Sequence, residues 1–135
     1  MVRKGNHWND PHDAAVRAIT RGLKRLGLLE GSLPKLIRDE AYKDYYMHRT
    51  GHWIGMDVHD VGDYKVGDEW RLLETGMVMT VEPGIYIPAS RKVRARWRNI
   101  AVRIEDDVAV TSNGADVLSK GLVKEPDAIE SLMQH

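Results

Sequence analysis

The sequence contains no cysteine and no phenylalanine. Without cysteine, the chain has no disulfide, no thiolate nucleophile and no cysteine-ligated zinc or iron–sulfur site. Without phenylalanine, four tryptophans, five tyrosines and six methionines must supply the bulky side chains that pack the interior. Thiol chemistry is therefore excluded, and the packing depends on the other large residues.

The sequence also lacks net charge and long apolar runs. Twenty basic residues balance twenty acidic residues, which argues against a protein built around nucleic acid or anionic lipid. The apolar runs are too short for a transmembrane helix, and residues 1–8 lack the apolar core of a signal peptide. We therefore expect a cytoplasmic protein with no membrane partner.

What is present fits one globular domain. The chain has 135 residues, of which 42% are hydrophobic and 30% charged, a composition typical of folded domains of this size. It shows no internal repeat, no low-complexity segment and no linker. We therefore predict a single domain over residues 1–135.

Helix signals lie towards the two ends of the chain. Asp10 is placed to cap a first helix that continues at helical spacing of apolar residues to about Leu26, before Gly27. Ser32 and Pro126 mark the beginnings of two shorter helices. The sequence thus predicts three helices, with the longest first.

Strand signals fill the middle of the chain. Apolar or alternating segments at 78–82, 85–87, 100–105 and 108–111 predict strands. Between them, Pro83-Gly84 is predicted to be a turn or a bulge, and Asp106-Asp107 is predicted to be a turn. This order predicts an α+β fold in which helices cover one face of a mostly antiparallel, curved sheet.

A segment rich in histidine and glycine spans residues 46–64. Glycine leaves room for a metal or substrate to approach an imidazole, so its histidines are candidate ligands or catalytic groups. The alternative is that they are polar loop residues hydrogen-bonded to the backbone, and the segment alone favours neither. The histidines are His48, His52 and His59.

Two glutamates each follow a predicted strand. A carboxylate at the end of a buried strand is costly unless it is paired or coordinated. Glu82 is either a turn carboxylate or a ligand, and Glu105 is either paired with Arg103 or a ligand. Two carboxylates with one imidazole suit manganese, while cobalt, iron and zinc stay possible.

Residues 91–98 hold five basic residues and one tryptophan. Such a segment is either a nucleic-acid patch with a stacking aromatic ring or a solvated loop between strands. The neutral charge of the whole chain favours the loop, so we expect no nucleic-acid partner.

Four short motifs in the middle of the chain together resemble a known family. They are His48-Arg-Thr-Gly-His52-Trp-Ile-Gly, Asp57-Val-His59-Asp-Val-Gly62, Thr80-Val-Glu82-Pro-Gly84-Ile-Tyr86 and Val102-Arg-Ile-Glu105-Asp-Asp. Their residues and order resemble the catalytic domain of Xaa-Pro aminopeptidase (aminopeptidase P). The wider group is the pita-bread metallopeptidases, which include prolidase and methionine aminopeptidase.

The resemblance implies a metal-dependent hydrolase, usually with manganese, that removes an N-terminal residue preceding proline. It implies that His52 is the imidazole ligand and that Glu82 is a carboxylate ligand that also moves a proton. It further implies that Glu105 is the carboxylate that bridges two cations. Two cations and the neighbouring Arg103 would keep both carboxylates ionised.

The resemblance also implies which residues meet the substrate. His59 would lie near the scissile carbonyl and His48 would shape the proline pocket. Arg103 and Tyr86 would form a relay behind a metal-bound aspartate, with Tyr86 at the substrate side of the site.

The chain departs from the family pattern upstream of these motifs. The family uses five metal ligands, and the hairpin that carries two aspartate ligands has no counterpart here. The chain therefore resembles the C-terminal half of the catalytic domain, with three of five ligands and weak or no activity expected alone. Smaller departures are Thr75, where proline is usual, and Ala101, where glycine is usual.

Two further interpretations stay open. The missing half would leave a sheet edge and an apolar face exposed, so two copies could pair as a homodimer about a two-fold axis. Alternatively, the chain is a non-catalytic module that binds peptide or protein, as pita-bread domains without a complete metal site do.

Overall fold

The computed structural model describes residues 1–90 and 93–134. The helices are α1 (Asp10–Arg25), α2 (Leu33–Arg38) and α3 (Pro126–Leu132), with short 3-10 turns at Ala41–Asp44 and Ala95–Trp97. The strands are β1 (Lys65–Val66), β2 (Glu69–Trp70), β3 (Val78–Val81), β4 (Gly84–Ile87), β5 (Ile100–Arg103), β6 (Asp106–Thr111) and β7 (Gly114–Val117).

Helix α1 forms where the sequence predicts it, but its cap differs. The N-cap is Asn9, and Asp10 is the first helical residue. The Asp10 carboxylate accepts the backbone N–H of His7 at 2.9 Å, so the predicted capping role is wrong. Asp10 instead fixes the chain just before the helix, where the helix dipole favours its charge.

Two cores hold the fold together. The first packs α1 against the tyrosine-rich segment before residue 47 and against β4. The second joins the N-terminal Trp8 to Trp53 and to residues of β3 and β6. All aromatic bulk comes from tryptophan and tyrosine, as the absence of phenylalanine requires. The predicted packing of helices on strands is therefore present.

In the part of the chain that the structure describes, seven strands form three small sheets in which every pairing is antiparallel. Their orders are β1–β2, β3–β6–β7 and β4–β5. The predicted α+β class is confirmed. Strand β5 is exposed along its length, with Ile100, Val102 and the following Ile104 all open to solvent.

Two hairpins of the structure are not predicted from the sequence. Strands β1 and β2 join through Gly67-Asp68, with Gly67 at φ 62°. Strands β6 and β7 join through Ser112-Asn113. Both carry a dipeptide typical of tight hairpins, Gly-Asp in the first and Asn113-Gly114 in the second.

The predicted turn at Asp106-Asp107 is wrong, because both residues belong to β6 and pair with β3. Asp106 accepts hydrogen bonds from Ser119 Oγ at 2.6 Å and from Lys124 Nζ at 2.9 Å. These two donors hold the pKa of Asp106 below its usual value. Ile104 and Glu105 instead form a two-residue break between β5 and β6, so Glu105 lies outside both strands.

Part of the basic segment lies outside the described residues, namely positions 91 and 92. In the part that the structure describes, Val93 is buried, and its carbonyl oxygen accepts a hydrogen bond from Arg98 Nε at 2.8 Å. Arg96 covers the Trp97 ring at 5.0 Å from the centroid. This packing agrees with a folded loop between strands.

No helix in residues 1–90 and 93–134 is long and apolar enough to cross a membrane.

Candidate metal centre

The segment of residues 50–54 runs antiparallel to β3 and brings two distant residues together. The N–H of Thr80 donates to the His52 carbonyl at 2.9 Å, and the N–H of Glu82 donates to the Thr50 carbonyl at 2.7 Å. Trp53 lies opposite Met79 in the same pairing. Backbone hydrogen bonds therefore place His52 beside Glu82.

Gly51 is required for this close approach. A Cβ atom at Gly51 would lie 2.0 Å from the Thr80 carbonyl oxygen, which is backbone and cannot move aside cheaply. The glycine-rich composition of this segment therefore serves the pairing of two strands, beyond leaving room for a ligand.

The Thr80 hydroxyl connects the two candidate ligands. It accepts the backbone N–H of His52 at 2.9 Å and donates to Glu82 Oε1 at 3.0 Å. Thr80 is 1% exposed, so water does not replace these bonds easily. The hydroxyl thus fixes both the His52 backbone and the Glu82 carboxylate.

Glu105 and Arg103 complete the cluster from the other side. Arg103 Nε lies 3.7 Å from Glu82 Oε2, and its Nη2 lies 3.8 Å from Glu105 Oε2. The predicted alternative for Glu105, a pair with Arg103, is thus present. The same guanidinium faces both carboxylates and offsets their mutual repulsion.

The three predicted ligands converge. One ligand atom from each of His52, Glu82 and Glu105 lies within 4.8 Å of the other two, and His52 Nε2 is 3.3 Å from Glu82 Oε1. Two ligands bound about 2.1 Å from one cation are themselves about 3.0 to 3.4 Å apart. The spacing of this pair therefore fits a shared cation.

The His52 ring is oriented for coordination. Its Nδ1 lies 2.8 Å from the Trp53 carbonyl oxygen, which can only accept, so Nδ1 carries the hydrogen in the neutral ring. The lone pair of Nε2 then faces the Glu82 carboxylate. Two acceptors face each other favourably only with a proton or a cation between them, so these residues fit a metal ion.

His48 and Tyr86 form a second pair. His48 Nδ1 lies 2.7 Å from the Arg49 carbonyl oxygen, and His48 Nε2 lies 3.0 Å from the Tyr86 hydroxyl. The neutral ring therefore accepts a hydrogen bond from Tyr86 through Nε2. No hydrogen bond among the described residues joins Arg103 to Tyr86, so the structure gives these two no direct relay.

His59 lies next to the candidate ligand. Its ring is 4.4 Å from that of His52, centroid to centroid, in an edge-to-face arrangement. The residue is exposed. The predicted alternative, histidines hydrogen-bonded to the backbone, is present for His48 and His52, whose Nδ1 atoms lie within 2.8 Å of backbone carbonyl oxygens. These bonds orient the Nε2 atoms and are compatible with a ligand role, which stays a prediction.

A buried polar network behind residues 50–54 is not predicted from the sequence. The Thr50 hydroxyl bonds to His12 Nδ1 at 2.9 Å and also to the hydroxyl of Tyr46. Burial, and then the nearby Arg49 charge, lower the pKa of His12 from 6.5 to about 4. His12 lies on α1, far along the chain, and no local motif marks it.

The geometry so far defines a class of protein, an α+β fold in which one histidine and two glutamates converge at a candidate metal site. The sequence pattern of metallopeptidase family M24 matches residues 1–112, and the chain belongs to that family. Several relatives that match nearly the whole chain are Xaa-Pro aminopeptidases.

The chain is 46% identical over 133 residues to the Xaa-Pro aminopeptidase of Haemophilus influenzae, which covers 98% of this chain and 31% of that protein. The Escherichia coli Xaa-Pro aminopeptidase is 47% identical over 133 residues, covering 98% of this chain and 30% of that protein. The structure of Pseudomonas aeruginosa aminopeptidase PepP matches with a TM-score of 0.94 and 62% identity, covering 98% of this chain and 30% of that one.

These likenesses confirm the resemblance and the pita-bread architecture predicted from the four motifs. The chain spans about 30% of the length of these relatives. It corresponds to a part of a metallopeptidase, and this part contains the three converging side chains His52, Glu82 and Glu105.

Proposed function

We propose that the chain supplies part of the active centre of a metal-dependent Xaa-Pro aminopeptidase. Its substrate would be a peptide with proline at the second position. The observation that carries this proposal is the convergence of His52, Glu82 and Glu105 within 4.8 Å. The membership in a metallopeptidase family and the names of the relatives support it.

His52 Nε2, Glu82 and Glu105 would hold a divalent cation. When bound, the cation supplies Lewis acidity, which polarises a carbonyl group and makes water more acidic. Two carboxylates and one imidazole favour manganese, with cobalt, zinc or iron as alternatives. Arg103 would keep the carboxylates ionised and in place.

The other histidines would act on the substrate. His59 lies beside His52 and is exposed, which suits a group that donates a hydrogen bond to the carbonyl of the scissile bond. His48 is held by Tyr86 and would line the pocket for proline. Glu82, as a carboxylate beside a cation, would accept a proton from water and pass it to the leaving amine.

Calorimetric titration of the metal-free chain with manganese, cobalt and zinc tests the metal centre. We expect binding by the wild type and by the exposed-site control His7→Ala, and none by His52→Ala. Absence of binding by the wild type would contradict the proposal and favour the alternative, a non-catalytic module that binds peptide or protein.

Release of the first residue from an Xaa-Pro peptide tests the activity. With three ligands of the five that the family uses, we expect weak or no turnover by the chain alone. Robust turnover by a monomer would show that these three residues are sufficient. It would contradict the proposed dependence on further ligands.

We further propose that the chain pairs as a homodimer through the exposed β5 region. Strand β5 presents Ile100 and Val102 to solvent, together with Ile104, and an exposed apolar strand favours pairing. Light scattering of the wild type and of Val102→Lys tests this pairing. A wild-type monomer at high concentration would contradict it.

A further inference from the structure

The loop of residues 55–62, which carries His59, has an inverted pattern of burial. Its apolar side chains Met56, Val58 and Val61 are exposed, whereas the charged Asp60 is partly buried. A charged residue that faces inwards while its apolar neighbours face outwards needs a structural reason.

That reason is a set of hydrogen bonds around the Asp60 carboxylate. Oδ2 accepts the backbone N–H of Met56 at 3.1 Å, and Oδ1 accepts the backbone N–H of Val61 at 2.9 Å. One carboxylate therefore ties together the two ends of the turn that carries His59. Bonds between a carboxylate and N–H groups are stronger than bonds between neutral groups.

The Asp60 backbone is tied to the candidate metal ligand. Its N–H donates to the Trp53 carbonyl oxygen at 3.1 Å. The same oxygen lies 2.8 Å from His52 Nδ1. One carbonyl oxygen therefore orients the His52 ring and also anchors the loop that presents His59.

Gly55 leaves the space that the Asp60 carboxylate fills. A Cβ atom at Gly55 would lie 1.5 Å from Asp60 Oδ2. A side chain at this position would therefore displace the carboxylate from its two donors. The glycine and the aspartate form one unit, which we call the Asp60 clamp.

We propose that Asp60 is a positioning residue whose carboxylate holds the His59 loop so that the His59 ring lies against the His52 ring. The functional importance of this contact rests on the proposed function, in which His59 meets the substrate. The clamp itself is a statement about the loop and is testable without metal or substrate.

The first test compares Asp60→Ala, Gly55→Ala and Asp57→Asn with the wild type. The side chain of Asp57 is exposed on the same loop and makes no hydrogen bond or ion pair among the described residues, so it is the matched control. The measurement is the nuclear Overhauser cross-peak between the imidazole protons of His59 and His52 in the metal-free chain. We expect the cross-peak in the wild type and the control, and its loss in both clamp variants.

Asp60→Asn provides the conservative comparison, because its amide oxygen retains one acceptor for two donors. We expect a cross-peak of intermediate strength. It also keeps the proposal testable if Asp60→Ala fails to fold. A full-strength cross-peak in Asp60→Asn and in Gly55→Ala would overturn the proposal.

Titration with Mn²⁺ separates this proposal from the proposed metal centre. Bound Mn²⁺ broadens nearby proton resonances, so we expect the His52 signals to broaden in every variant. The His59 signals should broaden less in Asp60→Ala than in Asp57→Asn. If His52 does not broaden even in the wild type, the metal centre is wrong, while the metal-free cross-peak still decides the role of Asp60.

Discussion

The two sides of the candidate metal centre are built differently. The His52 and Glu82 side chains are 15% and 13% exposed, and paired backbones and the buried Thr80 hydroxyl hold them. The Glu105 and Arg103 side chains are 40% and 52% exposed and meet through long ion pairs. One side is fixed by strand geometry, and the other by exposed charges.

This difference predicts in which part of the site a substitution should be most costly to stability and metal binding. Buried hydrogen bonds are costly to lose, because the partner left behind has no water. Exposed ion pairs are exchanged for water at little cost. Substitutions around His52 and Glu82 should therefore have larger effects than substitutions at Glu105 or Arg103.

The largest effect is expected from Gly51→Ala. The added methyl group collides with the Thr80 carbonyl, so the paired segments must separate, and we expect a loss of about 3 kcal/mol in the free energy of unfolding. Urea unfolding measures it. The control is Gly114→Ala, where no atom lies within 4 Å of the added Cβ. Equal stability of both variants would contradict the close approach at Gly51.

The next effect is expected from Thr80→Val, which keeps the shape and removes the hydroxyl. The His52 N–H loses its acceptor and Glu82 loses a donor, so we expect about 2 kcal/mol lower stability and roughly 10- to 100-fold weaker manganese binding. Calorimetry measures the binding. Thr111→Val, whose hydroxyl bonds to Asn113 at the surface, should bind as the wild type does. Unchanged affinity in Thr80→Val would rule out its role at the ligands.

A smaller effect on stability is expected from lowering the pH. It acts through His12, which bonds to Thr50 in the segment that carries His52. The pKa of His12 in the folded protein is about 4, against 6.5 ordinarily, so only the unfolded chain takes up this proton between those values. Its contribution to stability is therefore complete above pH 6.5 and is lost as the pH falls towards 4. The two pKa values correspond to a loss of about 2 kcal/mol near pH 5, which solvent screening of the half-buried ring reduces to about 1 kcal/mol.

Unfolding in urea at about pH 7.5 and pH 5 measures this loss. We expect the decrease to be smaller in His12→Asn than in the wild type and in His7→Asn, a substitution at an exposed position. An equal decrease in all three proteins would show that His12 is not responsible.

The smallest effect is expected from Arg103→Gln. The guanidinium is half-exposed and its ion pairs are long, so we expect stability to change by less than about 1 kcal/mol and manganese affinity by less than about five-fold. The same urea and calorimetric measurements apply. A loss as large as that of Thr80→Val would overturn the contrast between the two sides.

Much of this organisation is predictable from sequence, for identifiable reasons. Helix α1 shows a clear apolar period, and strands β3 to β6 show apolar or alternating segments, so their existence follows from local signals. The convergence of His52 and Glu82 does not follow from spacing, because thirty positions separate them. Only the resemblance to a known family predicted it.

The remaining features depend on packing that no local signal records. The roles of Thr80 and His12 arise from contacts with residues far along the chain. Asp106 lies in β6 and not in the predicted turn, because Ser119 and Lys124 stabilise it there. The single-domain organisation, the cytoplasmic location and the choice of manganese stay predictions.

The β1–β2 hairpin lies, along the chain, between the segments that carry His52 and Glu82, and it has its own antiparallel pairing. The chain leaves the segment of residues 50–54 after Ile54 and comes back beside it at Val78, the first residue of β3. There the Ile54 N–H donates to the Val78 carbonyl at 3.2 Å. Insertions at the hairpin tip, Gly67-Asp68, would therefore lengthen the chain without moving His52 or Glu82. Each doubling of such a loop costs only about 0.6 kcal/mol, which makes this tip a suitable place to graft an affinity tag or a spectroscopic label.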